Sequence, residues 1–308
     1  HYAGFILTLA AKGRAVDYTG RMVESLNPET LELNSLIDPL LTLCREAGSR
    51  ICQHYHSAES PEVISKSDDT PLTRADLESH VILSEGLRRI APDLPILSEE
   101  SPPDELSGRR DWPAFWLVDP LDGTKEFLGR TGEFTINIAL VRGARPVLGL
   151  IYRPISEDAF LGVPGEGAWR IQGTHAEARQ PLACLPLVAE RPLLVLASRR
   201  HRGRRLGECL AWLEARWGAL ERRNSGSALK FCDMAAGEGD FYPRFSLCSE
   251  WDVAAGDALV SAAGGAVLGL DGRPLQYNQR DTLLSENFLA VADPDHPLWS
   301  ELLQELPT

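Results

Sequence analysis

The sequence predicts a mixed fold in two parts, an α+β half followed by an α/β half, and three observations predict it. Apolar residues recur at helical spacing from Ser35 to Ile90, and they alternate with polar or small ones from Phe115 to Ile171. Beyond Pro181, short apolar runs are interleaved with helical stretches. The 308 residues are 44% hydrophobic and 24% charged, which is globular composition with enough apolar side chains for a sizeable core. Disorder as the main state is excluded.

Residues 1–34 show no period that leads into this pattern and read as an N-terminal extension. Met22, one of two methionines, would serve as a native start behind an appended segment; a processed or extended natural N-terminus is the alternative. Ser35 and Asp38 have capping-box spacing, and Leu36, Ile37, Leu40, Leu41, Cys44, Ala47 and Ile51 then mark the first helix. Thr73 and Asp76 repeat that spacing before a second helix through Leu77, Val81, Leu87 and Ile90, which Pro92 stops. Strands follow at 115–118, 134–140, 147–152, 159–163 and 167–171, and two helices over a largely antiparallel sheet make the first half, residues 35–180. A boundary at 173–187, with Pro181 and Pro186, opens the second half, residues 181–308. There the reading is a strand at 193–197, helices at 206–217 and 227–236, a strand near Phe241, a helix at 253–263 and strands at 266–268 and 288–291.

Charge and cysteines narrow the function. With 31 Lys and Arg against 44 Asp and Glu, a net charge of −13 argues against a protein that grips nucleic-acid phosphates. Six cysteines lie scattered without a C-x-x-C pair, so free thiols in a reducing cytosol are expected, with neither structural zinc nor a disulfide framework. No apolar run approaches the roughly 18 residues of a membrane span, and the run from Ala3 to Ala11 lacks a basic leader. A soluble, cytoplasmic protein with no transmembrane segment is expected.

The chemistry concentrates in acids. Phe115 to Val118 delivers Asp119 at a strand end, Pro120 ends the ladder, and Asp122 follows one tight turn later, before Gly123 and the Thr124 hydroxyl. Two carboxylates so close repel each other unless a cation lies between them, although Asp, Pro and Gly also make ordinary turns. Glu99 and Glu100 follow another short apolar run, Asp252 opens a helix as a candidate N-cap, and Asp76 is the third helical residue of its capping box. Asp76, Glu99, Asp119, Asp122 and Asp252 together are hard oxygen ligands suited to Mg2+, which would also draw an anionic substrate to an acidic protein.

At these residues the sequence resembles a known family. Asp119-Pro-Leu-Asp-Gly-Thr124, Trp251-Asp-Val-Ala-Ala-Gly256, Ser98-Glu-Glu-Ser101 and Thr73-Arg-Ala-Asp76 are similar to the signatures of the Mg2+-dependent, lithium-sensitive phosphatases that include inositol monophosphatase and fructose-1,6-bisphosphatase. Lys66 to Thr73, Lys125-Glu-Phe127, Gly132 to Leu140 and Ser225-Gly-Ser-Ala-Leu-Lys-Phe231 resemble the bacterial CysQ branch of 3′(2′),5′-bisphosphate nucleotidases. The resemblance runs from Leu36 to the C-terminus. It implies a layered αβαβα sandwich, the sugar phosphatase fold, with the active site between its halves. It also implies hydrolysis of the 3′-phosphate of adenosine 3′,5′-bisphosphate. An inositol-monophosphatase-like sugar-phosphate phosphatase is the alternative, and a non-catalytic Mg2+ or nucleotide sensor is a rival from another class.

The resemblance further implies site residues. Glu99, Asp119 and the Leu121 carbonyl would hold one Mg2+, and Asp119, Asp122 and Asp252 a second, with a third near Glu99 and Asp76. Thr124 and Asp76 would form the catalytic pair, and the Gly123 and Thr124 amides would bind phosphoryl oxygens. Ser198, His201, Gly226, Ser227 and Lys230 would contact the nucleotide, beside a basic run of Arg199, Arg200, Arg202, Arg204 and Arg205. Some relatives are placed at the cytoplasmic face of the inner membrane, although nothing here resembles an amphipathic anchor. Oligomeric state is not legible.

Overall fold

Alternation in a strand sends neighbouring side chains to opposite faces. The protein, seen in a computed structural model that describes residues 15–16, 22–23, 32–58, 63–65, 71–173, 179–198 and 203–306, assigns those faces to different cores. A two-residue pairing of β1 (Ala15–Val16) with β2 (Met22–Val23) precedes helix α1 (Leu33–His56). Hairpin β3 (Val63–Ser65) and β4 (Pro71–Thr73) leads into α2 (Arg74–Ile90). Next come β5 (Ile96–Ser98), β6 (Ala114–Asp122), the short helix α3 (Thr124–Leu128), β7 (Thr135–Arg142), β8 (Arg145–Arg153), β9 (Asp158–Val163), β10 (Gly167–Gln172) and β11 (Arg179–Leu182). β5 to β11 lie side by side in chain order, antiparallel throughout except for the parallel pair β5–β6.

The second sheet collects β12 (Leu193–Ala197), β13 (Leu220–Asn224), β14 (Phe241–Arg244), β15 (Ala266–Gly269) and β16 (Phe288–Val291), in the order β13-β12-β14-β16-β15. Between these strands run α4 (Arg204–Trp217), α5 (Leu229–Ala235) and α6 (Ala254–Ala262), and α7 (Leu298–Glu305) follows the last.

Three cores stack the layers. Trp116, Val118, Ile136, Ile138 and Leu150 point to α1 and α2. Their neighbours Phe115, Leu117, Ala139 and Ile151 point the other way, onto Phe231 of α5 and Leu259 of α6, which also meet Leu196, Tyr242 and Phe288 of the second sheet. The far face of that sheet, with Val195, Phe241 and Leu289, packs on Leu213 of α4 and Trp299 of α7. This is the αβαβα sandwich. Close packing sets two glycines: a Cβ on Gly149 would lie 2.3 Å from the Ala255 carbonyl, and one on Gly162 2.4 Å from Leu259 Cα, so α6 rests directly on the first sheet.

Several details depart from the sequence reading. α1 starts at Leu33, and Ser35 lies inside it with its hydroxyl on the Glu32 carbonyl at 2.7 Å, so the Ser35–Asp38 capping box does not form. Pro120 does not end its strand. β6 continues to Asp122 through a bulge, because Asp119 pairs with Asn137 and Asp122 with Thr135, leaving one extra residue on the β6 side. β13 and α7 were not expected. β13 is an edge strand of exposed residues with no apolar alternation to reveal it, and α7 is only eight residues long.

Candidate active site

The bulge in β6 delivers the first two acids. Asp119 is buried and accepts the Leu121 N–H at 3.0 Å. Pro120, which has no N–H to leave unsatisfied, turns its carbonyl to the Ser79 hydroxyl at 2.8 Å, and Leu121 is buried. Asp122 Oδ2 accepts from Asn137 Nδ2 at 3.2 Å and from the Ser227 hydroxyl at 2.7 Å. Gly123 then takes φ +92°, where a Cβ would sit 3.0 Å from the Glu133 carbonyl, and α3 begins at Thr124.

Asp252 arrives from the second half, at the end of a short 3-10 turn from Glu250 to Asp252. The sequence reading took it as a metal ligand, with a helix N-cap as its ordinary alternative. Rather than the cap, it is the third residue of a capping box opened by Ser249, whose N–H it holds at 2.9 Å. One oxygen from each of Asp119, Asp122 and Asp252 lies within 4.8 Å of the other two. Glu99 extends the β5–β6 ladder by donating its N–H to Val118 at 3.0 Å, which sets it beside Asp119. Ser98, at the same turn, has its hydroxyl 2.9 Å from His80 Nδ1.

Crowding shows in the protonation. Burial and then the charges of Glu99, Asp122 and Asp252 push the Asp119 carboxyl well above the usual carboxylate range. Burial, Asp122 and Glu99 raise Asp252 as well. A divalent cation reverses each of these costs, and the cluster offers only hard oxygen donors, so the residues fit a hard ion of the Mg2+ kind.

Asp76 combines two roles. As third residue of α2 its Oδ2 accepts from the Thr73 N–H at 2.8 Å and the Thr73 hydroxyl at 2.5 Å, while its Oδ1 accepts from the Thr124 hydroxyl at 3.1 Å. Burial raises its pKa against those hydrogen bonds. The Thr124 oxygen is also 3.3 Å from the Leu121 carbonyl, which ties the pair to the β6 bulge.

Beside the acids lies a cavity of about 210 Å3 whose lining includes Asp122, Gly123, Ser198, Gly226, Ser227, Lys230 and Asp252. Of the residues read from sequence for the nucleotide, four therefore meet at the acidic cluster; His201, with Arg199, Arg200 and Arg202, lies outside the described residues. The Gly226 N–H is held by Glu133 at 3.0 Å, and the Lys230 ammonium is held by the carbonyls of Ser225 (3.1 Å) and Ser227 (2.6 Å). Burial lowers the Lys230 pKa to about 8. Arg204 pairs with Glu208 at 3.6 Å on α4, and the Arg205 guanidinium lies 5.3 Å over Phe245.

Sequence reasoning missed Arg244, which lines the cavity from the end of β14 with its guanidinium on the carbonyls of Ser246 and Leu247. It also missed Asn137 and Thr135 under Asp122. A signal for Arg244 was available, a lone cation on a strand eight residues before Asp252, but only the pairing of β14 with β16 turns that strand toward the site.

Known proteins match along most of the chain. A family model described as the inositol monophosphatase family matches residues 32–304. The Escherichia coli O157:H7 protein named 3′(2′),5′-bisphosphate nucleotidase CysQ is 41% identical over 254 residues, covering 82% of this chain and 98% of that protein. The crystal structure of CysQ from Bacteroides thetaiotaomicron is 35% identical with a TM-score of 0.74, covering 85% of this chain and 98% of that one. An inositol monophosphatase structure from Anabaena is 25% identical with a TM-score of 0.67, covering 89% and 97%.

Proposed function

Because the chain belongs to the inositol monophosphatase family, we propose that it acts as a 3′(2′),5′-bisphosphate nucleotidase of the CysQ type. The reaction is hydrolysis of the 3′-phosphate of adenosine 3′,5′-bisphosphate to AMP and phosphate, in sulfur assimilation and nucleotide recycling. The sulfated precursor of that nucleotide is a second substrate on this reading. The observation that carries it is the shared lining of one cavity, in which Arg244 supplies a cation for the non-scissile phosphate and Asp122 and Asp252 belong to the acidic cluster. An inositol phosphate has no second phosphate for Arg244 to meet.

Glu99, Asp119, the Leu121 carbonyl, Asp122 and Asp252 would hold Mg2+, as two ions with a third near Glu99 and Asp76. When bound, Mg2+ supplies positive charge against the phosphoryl oxygens and makes water a stronger acid. Thr124 orients the attacking water: its hydroxyl donates to Asp76 Oδ1, which leaves its oxygen lone pairs to accept from that water. Asp76, held by Thr73 and α2 against rotation, takes up the proton through Thr124, and burial makes it a better base than an exposed carboxylate. Water oxygen bonds to phosphorus as the bond to the ribose oxygen breaks, and the ribose oxygen takes a proton from solvent water to leave as a hydroxyl. The amides of Gly123 and Thr124 bind phosphoryl oxygens at the left-handed turn, and Ser198, His201, Gly226, Ser227 and Lys230 complete the nucleotide side.

Residues 35–180 thus contribute the catalytic pair and most of the metal ligands, and residues 181–308 contribute Asp252 and the nucleotide wall. No helix among the described residues is long and apolar enough to cross a membrane, and all six cysteines are free, which suits a cytoplasmic enzyme. The test is phosphate release from adenosine 3′,5′-bisphosphate and from inositol 1-phosphate, each with Mg2+ and with EDTA. Mg2+-dependent release favouring the nucleotide is expected; preference for inositol phosphate overturns the nucleotide wall, and no release from either overturns the enzyme.

A further inference from the structure

Ser227 is one of four non-glycine residues with positive φ among the described residues, at +50°, a conformation that favours glycine. Its strained backbone is fixed from several sides. Lys230 holds its carbonyl at 2.6 Å, Glu133 holds the N–H of the preceding Gly226 at 3.0 Å, and its Cβ abuts Gly123, where an added Cβ would come within 3.3 Å. What the strain achieves is the direction of the hydroxyl. Ser227 Oγ reaches Asp122 Oδ2 at 2.7 Å and Thr135 Oγ1 at 2.6 Å.

An ionised carboxylate only accepts, so Ser227 donates to Asp122 and its remaining contact with Thr135 must be an acceptance. Thr135, also 2.8 Å from Asn137 Oδ1, shares its proton between the two, and Asn137 Nδ2 donates to the same Asp122 oxygen as Ser227 does. Asp122 is therefore gripped from both halves of the molecule, by Asn137 of the first sheet and by the turn before α5. Two donors on Oδ2 stop the carboxylate from rotating and leave Oδ1 to face a cation.

We infer that Ser227 is a positioning residue: its hydroxyl, aimed by a left-handed backbone and supported by Thr135, sets the Asp122 carboxylate for the cation. The substrate-lining turn and the metal ligand are thereby one mechanical unit. The inference deepens the proposed function and rests on it.

Substitution separates hydroxyl from strain. Ser227→Gly suits φ +50° better than serine does, so the variant should melt no lower than wild type. It should nevertheless bind Mg2+, titrated alone by calorimetry, about 10- to 100-fold more weakly, with kcat restored toward wild type at high Mg2+. Thr135→Ser should keep the wild-type Mg2+ affinity, and Thr135→Val should lose part of it. Unchanged Mg2+ affinity in Ser227→Gly, or melting well below wild type, overturns the inference. If Ser227→Gly does not fold, the Thr135 pair decides, and equal Mg2+ affinity in Thr135→Ser and Thr135→Val overturns it. A wild-type protein that neither binds Mg2+ nor releases phosphate overturns the proposed function and this inference with it, whereas a competent wild type beside an unaffected variant overturns this inference alone.

Discussion

The start of α2 and the turn ahead of α6 carry the same device and use it for different ends. Thr73 with Asp76, and Ser249 with Asp252, are both capping boxes in which the third residue returns its carboxylate to the N–H of the cap. In the first, the other oxygen meets the Thr124 hydroxyl; in the second, the carboxylate joins Asp119 and Asp122 in the acidic cluster. The difference teaches that capping and chemistry are not rival explanations for a helix-start aspartate. A cap bond immobilises the side chain, and the partner of the remaining oxygen decides what the acid does.

Replacing each acid by its amide should break the comparison most clearly. Asp252→Asn should lower Mg2+ affinity and cut turnover roughly 10^3-fold, the loss of a few kcal/mol of charge stabilisation, with affinity read by calorimetry and rate by phosphate release. Asp76→Asn, which keeps an acceptor for the Thr73 N–H, should cut turnover by about 10^2- to 10^4-fold while the two Mg2+ assigned to Glu99, Asp119, Asp122 and Asp252 bind near wild type. Near-normal turnover in Asp76→Asn would leave Asp76 with its capping role alone.

Removing the cap hydroxyls sharpens the contrast at smaller scale. Thr73→Ala and Ser249→Ala should each cost about 1 kcal/mol in denaturant unfolding. Only Thr73→Ala removes a side-chain donor from its aspartate, so only there should the pKa of the general base rise and the acid limb of the pH–rate profile move to higher pH. An equal shift in both variants would mean that the two boxes hold their acids alike.

The smallest effects come from the next acids along the same two elements. On α2, burial of Glu78 is outweighed by hydrogen bonds from His54, Arg50 and Arg74, which hold its pKa at about 2. Stability from a depressed acid is present above its ordinary value near 4.5 and is lost as pH falls toward 2, so Glu78→Gln should destabilise more at pH 7 than at pH 2. On α6, burial pushes Asp257 up to about 6, despite bonds from Tyr277 at 3.0 Å and Ser261 at 3.1 Å. A raised acid contributes below about pH 4 and loses that contribution as pH rises through 6, so Asp257→Asn should flatten the fall in wild-type stability over that window. Urea melts across pH with the same slope for both variants would contradict the opposite signs.

Local signals explain what could be read in advance. Thr73-x-x-Asp76 is a four-residue pattern whose bonds close within the pattern, so both the helix start and the acid were legible. Ser249-x-x-Asp252 is the same pattern and was equally available, yet the structural role weighed for Asp252 beside metal binding was that of the cap itself. Asp119, Asp122, Gly123 and Thr124 were legible as a group because the turn chemistry is contiguous. What the sequence could not reveal are contacts made across the fold: Ser227 reaches Thr135 over 92 positions, and Arg244 joins the cavity through strand pairing. β13 was invisible because Glu221, Arg222, Arg223 and Asn224 are all exposed at a sheet edge.

The bulge in β6 has a consequence of parity. In an uninterrupted strand, residues three apart point to opposite sides, so Asp119 and Asp122 would be parted by the sheet. One surplus residue shifts the count from odd to even, and both acids fall beside Asn137 and Thr135, which share a face as next-nearest neighbours on β7. That is the face of Phe115 and Leu117, toward α5 and α6, where Asp252 waits. Backbone pairing is therefore as much a determinant of this centre as residue type: a strand that kept the three-residue spacing but paired without the bulge could keep every acid and still be unable to assemble them.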